Sequence, residues 1–361
     1  MRPVPLYRPR DCLAPASRET QDASFAQEQI RDILFDFPFI SGAEGAHAVG
    51  LIVQPFAREL IDGPTPLYLI EKPSPGTGAG LLSDVVTSTF LGRPAAVISE
   101  GRDEDEWRKR ITSKLIQDNN IVLIDNVRRR LESSALSSAL TCMDWEDRIL
   151  GKTGMVCVPV RATWIATGNN PSLSNEIARR TVRIRLDSKV DRPWLRERFR
   201  HPNLREYVAR ERGKLVWCTL VLIQDWIAKG RPAFTGKPLG SFESWSNVIG
   251  GIVETAGFPG FLTNLEELYE ESDADGAALR AFVAAWWEKH GSEAVGVSEL
   301  YSIIKDGDPI DVDLGNGKAE RSQKTRLGLL LKQNRDRQFD GKRIFRVGTQ
   351  QRATLWRLVD T

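Results

Sequence analysis

Between residues 67 and 186, short apolar runs of strand length alternate with longer stretches of helical spacing. The first run, Leu67 to Ile70, is closed by Pro73 and Pro75, as is typical of a buried parallel strand. Strand and helix in alternation predict a doubly wound α/β sheet. The predicted strands occupy 67–70, 95–98, 120–124, 162–166 and 182–186, and the predicted helices between them occupy 80–91, 104–116 and 133–140.

Composition excludes several other classes of protein. Of the 361 residues, 41% are hydrophobic and 27% are charged, which is typical of a soluble globular chain of two or three domains. The longest apolar run, 215–223, is far shorter than the ~20 residues of a membrane span. The four cysteines form no C-x-x-C pair, so a zinc cluster is not expected. The amino terminus lacks an export signal, so we expect a cytoplasmic protein.

Charge is unevenly distributed and predicts where the domains divide. Residues 254–275 include seven acidic side chains and no basic one, whereas residues 318–361 include twelve basic and four acidic side chains. A basic carboxyl-terminal segment points to nucleic acid as a partner. The predicted segments are an arm and helical collar at 1–45, the α/β core at 46–235, a helical lid or linker at 236–272, and a DNA-binding domain at 273–361.

A glycine-rich turn follows the first predicted strand. Phosphate loops place glycine-rich backbone N–H groups at a helix N-terminus, with a Lys for the β/γ oxygens and a hydroxyl for Mg²⁺. Here Ala79 stands in place of the Lys and Gly80 in place of the Ser/Thr. Taken alone, the turn fits a structural bend as well as a nucleotide site. The predicted cofactor-binding residues are Pro75, Gly76, Thr77, Gly78, Ala79, Gly80 and Leu81.

Two further strand ends carry polar side chains suited to ATP chemistry. Asp125 follows a buried strand and could hold Mg²⁺ through water, while Asn126 stands where a water-activating Glu is usual. Asn169 and Asn170 follow the 162–166 strand, which we expect to lie between the first and third strands, where an amide can bind the γ-phosphate. The alternative for Asp125 is a carboxylate that only caps a turn.

Two basic features complete the candidate site. Arg179 and Arg180 follow the Asn strand at a predicted helix end and could reach the γ-phosphate of a neighbouring subunit as an arginine finger. A solvated basic helix end is the alternative. Residues 145–158 read as a β-hairpin with Lys152 at its tip.

In motif order and hairpin placement, residues ~45–235 resemble the AAA+ ATPase module of phage, plasmid and integrative-element primase–helicases. Those modules are related to the minichromosome-maintenance and superfamily 3 helicases. The resemblance implies that Lys152 grips DNA in the pore of a ring, that Asn169 or Asn170 is sensor 1, and that Arg179 or Arg180 is the finger. The sequence departs from the pattern at Ala79, Gly80 and Asn126.

The carboxyl-terminal segment predicts a winged helix, with three helices followed by a hairpin around a turn at 348–352. Its third helix and wing carry the basic side chains expected to contact DNA phosphates. A winged helix that binds protein is the alternative. The predicted DNA-binding residues there are Lys324, Arg326, Lys332, Arg335, Lys342 and Arg343.

Together these features predict a ring-forming AAA+ helicase or translocase that acts in the DNA replication of a mobile element. Its predicted cofactors are ATP and Mg²⁺, and its predicted partners are DNA, further copies of the chain in a hexamer, and a primase or other replication protein. Lys72 and Glu100 are candidate substitutes for the missing Lys and Glu. The alternative function is a non-hydrolysing DNA-binding scaffold or initiator.

Overall fold

A computed structural model describes residues 20–117, 120–149, 154–306, 310, 312, 314, 319–350 and 353–360. The chain divides into two compact units, the first ending at Ser272 and the second beginning at Asp273. Lys152 and the rest of the predicted hairpin tip lie outside the described residues. None of the described helices has the length and apolarity that a membrane span requires.

The first unit is built on a five-stranded parallel sheet in the order β2-β3-β6-β1-β7, which confirms the predicted parallel α/β core. A separate antiparallel hairpin, β4-β5, precedes β6. The strands are β1 (Leu67–Lys72), β2 (Val97–Ile98), β3 (Ile121–Val127), β4 (Asp144–Arg148), β5 (Met155–Pro159), β6 (Thr163–Asn169) and β7 (Thr181–Arg185).

Helices cover both faces of this sheet. Alternate residues of β1 divide between two buried clusters: Tyr68 and Ile70 pack with α1, α2, α3 and α7, and Leu67 and Leu69 pack with α4, α5, α6 and α10. The helices are α1 (Thr20–Leu34), α2 (Gly42–Ala57), α3 (Ala79–Leu91), α4 (Glu104–Ile116), α5 (Ser134–Ala139), α6 (Asn175–Ala178), α7 (Leu204–Ala228), α8 (Glu243–Trp245), α9 (Gly251–Thr255) and α10 (Leu265–Ser272).

The strand boundaries differ from the sequence prediction by up to three residues, and the difference at the end of β3 shapes the site. The apolar run predicts an end at Ile124, but β3 continues to Val127 because its register against β6 shifts between these residues. Ile124 pairs with Ala166 and Val127 with Gly168, so β3 holds one extra residue, as in a β-bulge. Apolar periodicity stops at Asp125 and therefore cannot reveal a strand that continues beyond it.

A buried polar network anchors α2. The ring of His47 donates from Nδ1 to the Arg183 carbonyl oxygen at 2.7 Å, and Nε2 accepts the Leu262 backbone N–H at 2.9 Å. Glu44 likewise accepts from the Asn264 side chain at 2.7 Å. Burial lowers the pKa of His47 to about 4. The neutral tautomer with hydrogen on Nδ1 therefore links α2, β7 and the loop before α10.

The second unit packs three helices against a four-stranded antiparallel sheet in the order β8-β11-β10-β9. The strands extend into the turn expected at 348–352, because β10 runs to Gln350 and β11 begins at Ala353, with a register shift between Arg346 and Gly348. Its elements are α11 (Ala274–His290), α12 (Val297–Asp306), α13 (Glu320–Gln333), β8 (Val295–Gly296), β9 (Gln338–Phe339), β10 (Lys342–Gln350) and β11 (Ala353–Asp360).

The first unit should lose stability on mild acidification because of His47. Between pH 6.5 and 4 the unfolded chain binds a proton at this ring that the folded chain excludes, so stability falls as pH decreases through this window. The expected loss from this group is roughly 3 kcal/mol. Urea unfolding at several pH values should show a shallower pH dependence for His47→Gln than for the wild type. Equal slopes would contradict this assignment.

Candidate functional site

The carboxyl ends of three neighbouring parallel strands bring the polar candidates to one edge of the sheet. Lys72, the last residue of β1, pairs in register with Asn169 of β6, and its carbonyl oxygen accepts the Asn170 N–H at 3.1 Å. Asp125 lies on β3, on the other side of β6. Asn169 thus lies on the strand between those of Lys72 and Asp125, as the sequence predicts.

The bulge in β3 fixes the orientation of the acidic residue. Thr167 of β6 donates its hydroxyl to Asp125 Oδ1 at 2.6 Å and accepts the Asn126 N–H at 2.9 Å. Asn126 adopts a φ of 59°, a left-handed conformation in which Asn is enriched. Because one Asp125 oxygen is bonded to Thr167, the other is available to a ligand at the exposed end of the strand.

The glycine-rich turn has positive φ values at two glycines and leads into the N-terminus of α3. Gly76 and Gly78 have φ values of 82° and 118°, and Gly78 is the N-cap of α3. A Cβ on Gly76 would lie 3.0 Å from the Trp194 backbone nitrogen, so the loop also needs glycine there for packing. The Thr77 hydroxyl donates to the Ser74 carbonyl oxygen at 2.8 Å and stabilises the turn internally. Pro75 is exposed at its start.

A cavity of about 480 Å³ opens beside this turn, within the range of small-molecule sites. The loop contributes Gly76, Thr77, Gly78 and Leu81. The opposite wall comes from residues 36–37 and 196–206, which sequence reasoning missed because no local pattern relates them to the loop. That wall is Asp36, Phe37, Arg196, Phe199, His201, Pro202, Asn203, Leu204, Arg205 and Glu206.

The two positions that depart from the phosphate-loop pattern differ in surroundings. Ala79 is 1% exposed and packs in the core, whereas Gly80 is exposed and a Cβ there would meet nothing within 4 Å. The nearby Lys72 is half-buried. Burial lowers the pKa of its ammonium group, and the charge of Asp125 opposes that decrease. This stretch of loop thus has backbone donors but no basic side chain of its own.

Glu100, a candidate general base, is already engaged by the loop after β3. Its Oε2 accepts the backbone N–H groups of Arg128 and Arg129 at 3.2 and 3.3 Å, and its Oε1 lies 4.0 Å from Arg129 Nε. These contacts fix the backbone of Arg128 and Arg129, which directly follow β3. In this arrangement Glu100 helps to position the end of β3, where Asp125 lies.

The two candidate finger arginines are placed differently at the end of α6. Arg180 donates to the Glu176 carbonyl oxygen at 2.6 Å and lies 3.5 Å from the Glu176 carboxylate. Arg179 is exposed, and its charge acts on the half-buried Tyr269. Of the two, Arg179 is therefore the one whose guanidinium faces solvent.

The predicted hairpin is present as β4 and β5, paired from Asp144 with Pro159 to Arg148 with Met155. The part of β4 close to the hairpin tip is held against α4, because Asp147 accepts from Arg108 at 2.6 Å and from Thr112 at 2.7 Å. These contacts fix to α4 the strand that leads into the segment containing Lys152.

A groove of about 850 Å³ in the second unit gathers three of its basic side chains: Lys332 and Arg335 near the end of α13, and Arg346 on β10. Arg346 was missed because the period-two alternation of a strand places it on the same face as the buried Ile344. Lys324 is paired with Glu320 at 2.7 Å, and Lys342 with Asp360. Arg326 is exposed outside the groove, and Arg343 is half-buried.

No protein-family model matches the chain, and no curated protein has a significant match to it. Several solved structures are weakly similar, among them the following three. The apo A form of the NrS-1 C-terminal region, CTR, has a TM-score of 0.48 at 13% identity, over 98% of this chain and 79% of that one. SCCmec type IV Cch, described as an active helicase, has a TM-score of 0.38 at 10% identity, over 95% of this chain and 70% of that one. JCV helicase has a TM-score of 0.31 at 13% identity, over 71% of this chain and 65% of that one.

Each of these TM-scores lies below 0.5, so the similarities establish neither a shared family nor a shared activity. The geometry of the chain itself has to support any function. That geometry comprises a glycine turn at a helix N-terminus, a cavity beside it, and a carboxylate at the same sheet edge.

Substitutions at two loop glycines should have opposite effects on stability. Gly76→Ala places a Cβ at a positive φ and against Trp194, so it should cost about 1–3 kcal/mol. Gly80→Ala, in open space within α3, should stabilise by about 0.5–1 kcal/mol. Denaturant unfolding measures both. A Gly76→Ala protein as stable as the wild type would contradict the observed packing of the turn.

Proposed function

We propose that the chain is an AAA+ ATPase that drives a DNA helicase or translocase. The observation that carries this proposal is the convergence of the glycine turn, Asp125 and Asn169 at one edge of a parallel sheet. In open α/β sheets, ligands bind outside the carboxyl ends of the strands. The turn offers backbone N–H groups and a helix N-terminus to phosphates.

The residues at this edge fit ATP with Mg²⁺. The positive φ values of Gly76 and Gly78 and the adjoining cavity suit a phosphate chain, and Asp125 offers the hard oxygen ligand that Mg²⁺ prefers. When bound, Mg²⁺ would neutralise charge on the phosphate oxygens. Asn169 would donate an amide N–H to the γ-phosphate. Asn126 could orient a water molecule but has no carboxylate to accept its proton.

Assembly into a ring would complete the site. Arg179 is exposed at the end of α6, and an exposed arginine can serve the γ-phosphate of an adjacent subunit. Arg180 is instead tied to its own helix through Glu176. We therefore assign the finger role to Arg179 and propose a homo-hexameric ring, acting with a primase in mobile-element replication.

DNA would be bound by two basic elements. The β4-β5 hairpin, held against α4 through Asp147, would present Lys152 to the strand in the pore. The second unit, which we assign as a winged helix, would contact phosphates through Lys332, Arg335 and Arg346 in its groove. The helical segment at 236–272 would act as the lid of the ATPase.

A second function is a DNA-binding scaffold or initiator that binds nucleotide without hydrolysing it. The residues that favour it are Ala79, Gly80 and Asn126, because each removes a side chain that normally assists hydrolysis. Loss of one preorganised group of this kind typically reduces the rate by about 10²–10³-fold.

DNA-stimulated ATP hydrolysis by the full chain separates these two functions. The motor assignment predicts turnover that decreases by about 10²-fold in Asp125→Ala, because the variant lacks the oxygen ligand for Mg²⁺. Asp62→Ala, which changes an exposed carboxylate outside this edge, is the matched control and should retain wild-type turnover. Wild-type turnover no higher than that of Asp125→Ala would exclude the motor and leave the scaffold.

Salt dependence tests the groove of the second unit. Replacing Lys332, Arg335 and Arg346 together by Ala should reduce the slope of log affinity against log salt by about 0.9 for each duplex phosphate that the variant no longer neutralises. Lys305→Ala, an exposed lysine paired with Glu320 outside the groove, should leave the slope unchanged. Titrations at several salt concentrations measure the slope, and an unchanged slope in the triple variant would show that the groove does not bind DNA.

A further inference from the structure

The glycine turn lacks the cation that a polyphosphate requires. Its backbone N–H groups can cap phosphate oxygens, but a triphosphate carries several negative charges that dipoles alone compensate poorly. Ala79 is buried and apolar, and Gly80 has no side chain. If ATP binds here, as the proposed function requires, a basic side chain from outside the turn has to supply the positive charge that Mg²⁺ at Asp125 does not.

The basic side chains that line the cavity already have partners. Arg205 pairs with Asp84 at 2.6 Å, and His201 contacts Asp32 at 2.6 Å. Arg196 donates to the Asp36 carbonyl oxygen at 3.1 Å and lies over the ring of Phe199. Each would have to give up a contact in order to bind phosphate.

Lys72 differs from these groups in both position and partners. It ends β1 two residues before Ser74, so it enters the site on the strand that leads directly into the turn. Among the described residues its ammonium group forms no hydrogen bond and no ion pair within 4.0 Å, although it is half-buried and senses the charge of Asp125. The Lys72 ammonium group can therefore bind an incoming phosphate without giving up a protein contact.

We propose that Lys72 binds the β- and γ-phosphates of ATP in place of the missing phosphate-loop lysine. The inference rests on the proposed nucleotide site and adds the group that makes it selective for polyphosphates. The positive charge would then come from the end of β1, rather than from the first turn of α3, where phosphate loops usually carry their lysine. The loop backbone, which depends on Gly76 and Gly78, needs no change.

Equilibrium binding of ATP and AMP to the full chain tests this assignment. Lys72→Met keeps the aliphatic stem and removes the charge, so it should weaken ATP binding at least tenfold and change AMP binding less than twofold. Lys72→Arg, which keeps the charge, should retain most of the ATP affinity. Lys237→Ala, an exposed lysine elsewhere in the first unit, is the matched control and should bind as the wild type does.

A second experiment returns a lysine to its usual position in the phosphate loop. Ala79→Lys introduced into the Lys72→Met protein should recover ATP affinity, because the cation then comes from the usual loop position. Thermal unfolding checks that each variant is folded. Because Ala79 is buried, the ATP-to-AMP affinity ratio of Lys72→Met alone is decisive if the double variant does not fold.

The outcomes separate this inference from the proposed function. A wild-type chain that binds no ATP would overturn nucleotide binding itself. A wild-type chain that binds ATP while Lys72→Met binds it equally well would overturn only the role of Lys72. Parallel loss of ATP and AMP binding in Lys72→Met would show that Lys72 only supports the fold, and would overturn the inference as well.

Discussion

Strand β1 is hydrogen-bonded on both sides and buried on both faces, and the position of the site depends on it. Its parallel pairing with β6 and β7 sets Lys72 beside Asn169 and carries the chain directly into the glycine turn. Because β6 also pairs with β3, Asp125 comes to the same edge. One buried ladder therefore places three polar groups that are far apart in sequence.

A buried cluster of charges stabilises this edge. Arg183 of β7 is completely buried, lies 3.9 Å from Glu71 of β1, and pairs with Glu267 and Glu271 of α10 at 2.8 and 2.7 Å. Burial raises the pKa of Glu71, and the charges of Arg185 and Arg183 oppose the increase. Arg183 therefore links β7 to both β1 and α10, and its removal would leave the buried Glu71 with Arg185 as its remaining partner.

Much of this arrangement could be predicted from sequence because it rests on local patterns. Apolar runs predicted the strands, and Asp125 and Asn169 were identified by their positions at strand ends. Thr167 was not identified, since a buried threonine in a strand carries no local sign that it will bond to Asp125. The cavity wall at 196–206 was missed for the same reason, because long-range packing brings Arg196 to the loop.

The departures from the phosphate-loop pattern share a physical character. The features retained are those of the backbone: left-handed glycines, a helix N-terminus and a parallel sheet edge. The features that are missing are side chains, at Ala79, Gly80 and Asn126. At Asn126 the bulge imposes a φ of 59°, which Asn tolerates better than Glu does, so the conformation itself favours the residue found. Under the proposed function, such a site keeps its backbone donors for phosphate, while the positive charge that a polyphosphate needs comes from side chains elsewhere, such as Lys72 and Arg179.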